Sequence, residues 1–271
     1  VSASDPDSNA EGDPPRMPSD LDPLYRHLEF NSPLSGRRAD RLVAFLASRT
    51  QGTVVDLGCG WASLLTRLLT ASDRVDGVGI DRDPGGFEHA REVAAGKGVA
   101  GRLKLVAGDA KSHGADCPVG GAICIGASQI WGPPVESKLP LDYSAALAAL
   151  RRLVEPGAPV VYGEGIWSAA PTAAATAPLA GRPDEFLFLP DLVDLACEHG
   201  FSVVQTHEAT LDEWDDFESA YAARYSCWLA GHDRTHPDAA AVQARAKLQR
   251  EAYYRGYRGV LGMAYLALLA Y

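Results

Sequence analysis

No two cysteines of this 271-residue chain stand in a C-x-x-C spacing; the five, at positions 59, 117, 124, 197 and 227, are odd in number and irregular. That pattern supports neither a disulfide framework nor a thiolate zinc site. The seven histidines offer no H-x-H or H-E-x-x-H arrangement, and His232 and His236 flank the turn-forming run GHDRTHPD rather than sharing a helix face. No metal is expected. Lysine is scarce, with five against 20 arginines, and no basic stripe accompanies the net charge of -10. A nucleic-acid partner is therefore not expected. Long apolar runs are also missing. Val260–Tyr271 is too short to span a bilayer, and no positive region followed by an apolar stretch opens the chain. A cytoplasmic protein without a membrane partner, monomer or homodimer, is the expectation.

What the chain does have is length enough to bury a full core, since a chain of this size hides roughly three quarters of its unfolded surface. Five of the ten net negative charges fall in residues 1–22, where Asp5, Asp7, Glu11, Asp13, Asp20 and Asp22 face Arg16 alone. Residues 1–20 hold little to bury and read as a disordered acidic tail. Apolar and aromatic residues return at Leu21, and 21–50 reads as an N-terminal helical lid.

From residue 51 short apolar runs alternate with helical stripes in the manner of an α/β sheet. Strands are expected at 53–58, 75–81, 102–109, 121–126, 158–165 and 201–204, with helices at 62–69, 85–95, 143–153 and 189–199. Helical segments over 214–230 and 239–256 follow, and 206–256 reads as a helical cover over a pocket. Val260–Ala270 is open between a seventh strand, favoured by position, and a buried helix, favoured by its Leu–Ala composition.

The informative stretch is VVDLGCGWA, which places Asp56, Gly58, Cys59 and Gly60 between a buried strand and a helix. Glycines at such a turn let the backbone approach a ligand, and the helix N-terminus behind them offers unpaired N–H groups. Strand two ends in Asp81, a carboxylate suited to two ribose hydroxyls, and strand three ends in Gly108-Asp109-Ala110. A dinucleotide fingerprint would need a glycine three residues after Gly60, where Ser63 stands.

Asp56 two residues before the first glycine, with Asp81 and Asp109 at successive strand ends, resembles the class I S-adenosylmethionine-dependent methyltransferases of the small-molecule type. The likeness covers most of 37–204. It implies a Rossmann-like, seven-stranded, mostly parallel sheet with helices on both faces, its last two strands antiparallel, and S-adenosyl-L-methionine as cofactor. By the same likeness Gly58, Gly60 and Gly126 would lie under the cofactor and Asp56 would orient the loop and the cofactor's amino group. Asp81 would hold the ribose, with Arg82 beside the adenine, and Asp109 and Ala110 would meet the adenine edge. Ala62 stands where the family often has a third glycine.

Candidates for the acceptor side lie beyond the strand ends, where open α/β sheets present their crevice. IGASQIWG offers Ser128, Gln129 and Trp131; GEGIW offers Glu164 and Trp167; the segment before the domain offers Tyr25 and His27. Glu164 sits in an apolar strand, where a carboxylate is costly unless paired. It reads equally as a buried acid bonded to backbone amides and as a catalytic carboxylate facing a substrate amine. His27 is the candidate base for a hydroxyl, and Arg255 or Arg258 could pair with Glu164 or a substrate carboxylate. Trp131, Trp167 and Tyr25 read either as lid packing or as aromatic walls for substrate. The function expected is methyl transfer to a nitrogen or oxygen, with carbon left open, of a small aromatic or amine-bearing metabolite. A nicotinamide-dependent oxidoreductase and a non-catalytic cofactor-binding protein are the alternatives.

Overall fold

The computed structural model describes residues 17–112, 118–134 and 137–271. Residues 1–16 of the expected tail, together with His113 and Cys117, lie outside these.

Seven strands form one sheet: β1 (Gly52–Leu57), β2 (Val75–Asp81), β3 (Leu103–Ala107), β4 (Gly121–Ile125), β5 (Pro159–Trp167), β6 (Phe201–Glu208) and β7 (Leu261–Ala270), in the spatial order β3-β2-β1-β4-β5-β7-β6. All neighbouring pairs are parallel except those of β7, which runs antiparallel to both β5 and β6. The Leu–Ala run at the end of the chain is thus a strand. Wedged between β5 and β6 with nearly every residue buried, it makes ladder bonds to both neighbours, and that pairing outweighs helix propensity.

Successive strand residues point to opposite faces, and each face is covered by its own helices. Val54, Ile123, Val161 and Tyr265 pack under α1 (Gly36–Ala47), α2 (Ser63–Ala71) and α3 (Phe87–Gly96). Val55, Cys124, Val160 and Tyr162 pack under α4 (Tyr143–Leu153) and, after the short α5 (Ala173–Thr176), α6 (Leu189–Glu198).

Between β6 and β7 stand α7 (Leu211–Gly231) and α8 (Ala239–Glu251), the latter ending in a π-helical turn, Ala252–Tyr257. α7 begins three residues before the Trp214 start expected. The Thr210 hydroxyl accepts from the Glu213 amide while the Glu213 carboxylate accepts from the Thr210 amide, a capping box that satisfies two otherwise orphaned donors. β5 and β6 each run longer than expected, so Trp167 belongs to a strand and the helical cover starts at residue 211, not 206.

The described chain also starts inside the expected tail. Met17 and Leu21 pack against Trp228 and Val242, and the Asp20 carboxylate accepts a hydrogen bond from Trp228 Nε1 at 2.8 Å. From there the chain runs as a strap toward α1.

Candidate active site

A cavity of about 590 Å³ opens at the carboxyl ends of β1–β4, a size ordinary for small-molecule sites. All eight residues expected to hold a cofactor line it: Asp56, Gly58, Gly60, Asp81, Arg82, Asp109, Ala110 and Gly126. Local geometry explains why the β1–α2 turn needs its glycines. Gly58 has φ 74°, and a Cβ there would stand 2.6 Å from the Ala127 methyl. Gly60 has φ 52°, and its amide donates to Asp81 Oδ2 at 2.7 Å. Asp81 Oδ1 accepts from the Asp83 amide, so one carboxylate at the end of β2 ties down two turns. Ala62, in the third-glycine position, takes the left-handed conformation too, at φ 53°.

Asp56 is the acid that this end of the cavity leaves without a partner among the described residues. It is buried at the end of β1, and among the described residues its carboxylate accepts no hydrogen bond. Burial, with the charge of Asp81 behind it, pushes its carboxyl up to about 8. A cationic group entering beside it would restore the ionised form. The donor set therefore fits a ligand with an ammonium at the glycine turn and vicinal hydroxyls at Asp81.

The residues expected on the acceptor side fare differently, for none of Glu164, His27, Tyr25, Trp131, Trp167, Ser128 and Arg258 lines the cavity. Glu164 lies behind its wall. Its two oxygens accept from the amides of Ser128 and Gly165, each at 2.9 Å, and burial pushes its carboxyl up against those bonds. It faces backbone rather than substrate. The Ser128 hydroxyl is fully buried against Tyr162 Oη. Trp167 donates to the Pro183 carbonyl and meets the edge of Phe186, and Trp131 packs on the α4 face. Tyr25 stacks on His89, with ring centroids 4.4 Å apart, and His27 Nε2 stands 3.5 Å from the Asp22 carboxylate. Arg258 does not reach Glu164; it makes a two-pronged pair with Asp215 at 2.8 and 2.7 Å.

In their place the strap supplies Phe30, Asn31, Ser32 and Leu34, and the turn after β4 supplies Gln129 and Ile130. Gln129 was among the residues pointed out by the strand ends, whereas the part of the lid that matters lies a few residues beyond Tyr25 and His27. The strap is fastened along its length. Trp61 Nε1 donates to the Glu29 carbonyl, Tyr265 Oη to the Pro33 carbonyl, and Tyr221 Oη reaches Asn31 at 3.4 Å. At its end Ser35 and Arg38 converge on Glu213, Arg38 with both prongs at 3.0 and 2.8 Å. Burial alone would push the Glu213 carboxyl up, but these donors bring it down to about 2. α7 and α8 contribute no residue to the cavity lining. They do not roof the cavity; they hold the strap that does.

No family model matches the chain. It is 27% identical over 247 residues to the uncharacterized protein YjhP of Escherichia coli K12, a match covering 89% of this chain and 94% of that protein. Its structure is similar to that of a SAM-dependent methyltransferase from Geobacter sulfurreducens, solved with S-adenosyl-L-homocysteine, at 27% identity and TM-score 0.79. A second, from Thiobacillus denitrificans and also solved with S-adenosyl-L-homocysteine, gives 28% and 0.77; both matches cover 92% of this chain and 96% of the other. The chain has the class I S-adenosylmethionine-dependent methyltransferase fold, with S-adenosyl-L-methionine as its cofactor. In this fold the glycine turn and the acids at the ends of β1, β2 and β3 are the parts on which the sequence resemblance rested, and the antiparallel β7 is what that resemblance implied. No helix among the described residues is long and apolar enough to cross a membrane.

Proposed function

We propose that the enzyme transfers the methyl group of S-adenosyl-L-methionine to a nitrogen or oxygen of a small metabolite enclosed between the strap and the turn after β4. The single observation that carries this reading is the convergence of the glycine turn, the unpartnered Asp56 and the strand-end Asp81 on one cavity. Bound there, the cofactor supplies an electrophilic methyl on a sulfonium, open to in-line attack.

The chain's own residues then bind, align and exclude water. Gly58 and Gly60 leave room for the methionine portion, and Asp56 meets its ammonium. Asp81 exchanges its hold on the Gly60 and Asp83 amides for, or shares it with, the ribose hydroxyls. Arg82, Asp109 and Ala110 border the adenine. Phe30 and Leu34 keep the transfer space apolar, while Asn31, Ser32 and Gln129 give the acceptor its polar contacts. Glu164 acts one layer out, by fixing the Ser128 amide and with it the turn that carries Gln129.

Isothermal titration of the free protein with S-adenosyl-L-homocysteine tests the reading. Binding is expected, and at pH 6–7 it should release a proton, because Asp56 must ionise to meet the ammonium. Heat that does not depend on the buffer's own ionisation would remove Asp56 from this role.

A further inference from the structure

On the acceptor side of the cavity stands one hydroxyl whose hydrogen-bond direction its neighbours dictate. Tyr265 Oη lies 2.9 Å from the Pro33 carbonyl oxygen and 2.7 Å from Ser32 Oγ. A carbonyl can only accept and a phenol has one hydrogen, so Tyr265 donates to Pro33. The Ser32 contact then needs its hydrogen from Ser32. Burial pushes the Tyr265 hydroxyl far up, so it remains a phenol throughout. Ser32 Oγ is left with lone pairs that no described residue claims, and Ser32 is buried and lines the cavity.

Its position follows from the sheet. Tyr265 on β7 is in register with Gly163 on β5. A Cβ at Gly163 would come 2.9 Å from the Tyr265 ring and 3.2 Å from Ile125, so the ring leans over a bare glycine toward β4. Ser32 is thus tethered on the β4–β7 side, across β1 from Asp81 and Asp109. That is the part of the cavity that the cofactor's ribose and adenine leave to the acceptor.

We infer that Ser32 is a substrate-binding residue that selects a protic methyl acceptor, an amine or a hydroxyl, by accepting the hydrogen on the attacking nitrogen or oxygen. The inference rests on the methyl-transfer reading above. An unbranched preference for an alkene carbon or a thioether would leave the buried lone pairs of Ser32 facing nothing, a loss that a hydrogen-bonding site uses to reject the wrong ligand. Ser32 is not the base. The chain of donors runs from Ser32 to Tyr265 to a carbonyl, which cannot keep a proton. The acceptor's lone pair forms the new bond to the methyl carbon, the carbon–sulfur pair stays on sulfur, and the acceptor's proton passes to water. What Ser32 contributes is the direction in which that lone pair points.

Two cofactor analogues test this without knowledge of the acceptor. S-adenosyl-L-homocysteine has nothing beyond sulfur, whereas sinefungin has an amine-bearing carbon in place of the sulfur, so its amine sets an N–H donor where the methyl would stand. Calorimetry should show that Ser32→Ala lowers the affinity for sinefungin about tenfold relative to the wild type. Its affinity for S-adenosyl-L-homocysteine should stay within about twofold, and Ser32→Thr should keep the wild-type ratio of the two. Should Ser32→Ala melt too low to measure, Ser32→Cys keeps the shape, weakens the acceptor and reads the same ratio. An unchanged ratio in a folded Ser32→Ala or Ser32→Cys protein overturns the inference while leaving methyl transfer standing. Failure of the wild type to bind S-adenosyl-L-homocysteine overturns the methyl-transfer reading and the inference with it.

Discussion

At the β1–β3 end of the cavity the glycine turn and the acids come from strand ends and turns between Asp56 and Ala110, each beside the strand that aims it. At the β4–β7 end, the wall is a strap held by partners far along the chain: Ser32 by Tyr265, 233 residues away, and Ser35 by Glu213, 178 residues away. One half is written in short motifs, where a strand, a glycine turn and an acid occur in order. The other is written in contacts between regions that share no local pattern. The glycine-turn end can thus stay constant while the strap wall changes with any substitution that re-seats the strap.

The sharpest way to test that division is Asp81→Ala. It should weaken S-adenosyl-L-homocysteine binding roughly tenfold to a hundredfold, the worth of charge-assisted bonds to two hydroxyls and the Gly60 amide. Unchanged affinity by calorimetry, with the fold intact, would place the ribose elsewhere. Glu213→Gln attacks the other half. Losing the two-pronged Arg38 pair should lower the melting temperature by about 5 °C at neutral pH. Because the folded carboxyl is held near 2, its stabilisation is complete above the unfolded value of about 4.3 and is lost as pH falls toward 2. The variant's stability should be flatter with pH across that window, and its cofactor affinity close to wild type. Equal damage to cofactor binding would erase the contrast between the halves.

Asp56→Asn should act in the opposite direction on stability. A folded carboxyl raised to about 8 destabilises the free protein progressively as pH climbs from about 3.9 to 8, so the amide should raise the melting temperature by about 3 °C at pH 8. Cofactor affinity should fall at the same time, trading function for stability at one atom. Glu164→Gln is expected to cost about 1–2 kcal/mol in denaturant unfolding, since an amide has one acceptor oxygen for two backbone donors. Turnover per folded molecule should survive; a loss of turnover at wild-type stability would return Glu164 to the chemistry. The smallest effect belongs to Arg258→Ala, whose half-exposed, solvent-screened pair with Asp215 should leave the denaturation midpoint close to that of the wild type.

Seen against these tests, the sequence shows why one set of residues could be read and the other could not. Asp56, Gly58, Gly60, Asp81 and Asp109 declare themselves because an apolar run breaking at a glycine or an acid marks a strand end, and strand ends of an open sheet face the crevice. Glu164 satisfied the same rule, yet β5 continues past it to Trp167 and its acid turns to the Ser128 and Gly165 amides rather than into the cavity. Trp167 misled for the same reason. Tyr25 and His27 were the chemically conspicuous members of the lid, but their neighbours Asn31 and Ser32 are the ones that arrive at the cavity. Nothing within the strap's own sequence distinguishes these, because the register is set by Trp61, Tyr265 and Glu213. One missed signal was available: Thr210 followed by Glu213 is a capping box, and it locates both the true start of α7 and the acid that clasps the strap.

The seat of β7 between β5 and β6 has a consequence for how the molecule assembles. β6 precedes β7 in the chain, yet it has no place on the sheet until β7 has docked against β5 and offered it an edge. Pairings of such long sequence separation form late, after loop-closure entropy has been overcome. β1–β4 and the glycine turn need none of them, so a folding chain can complete the cofactor end first. Tyr265 comes with β7, and the strap can seat Ser32 only then. In time as in space, the glycine-turn end of the cavity precedes the end that the strap closes.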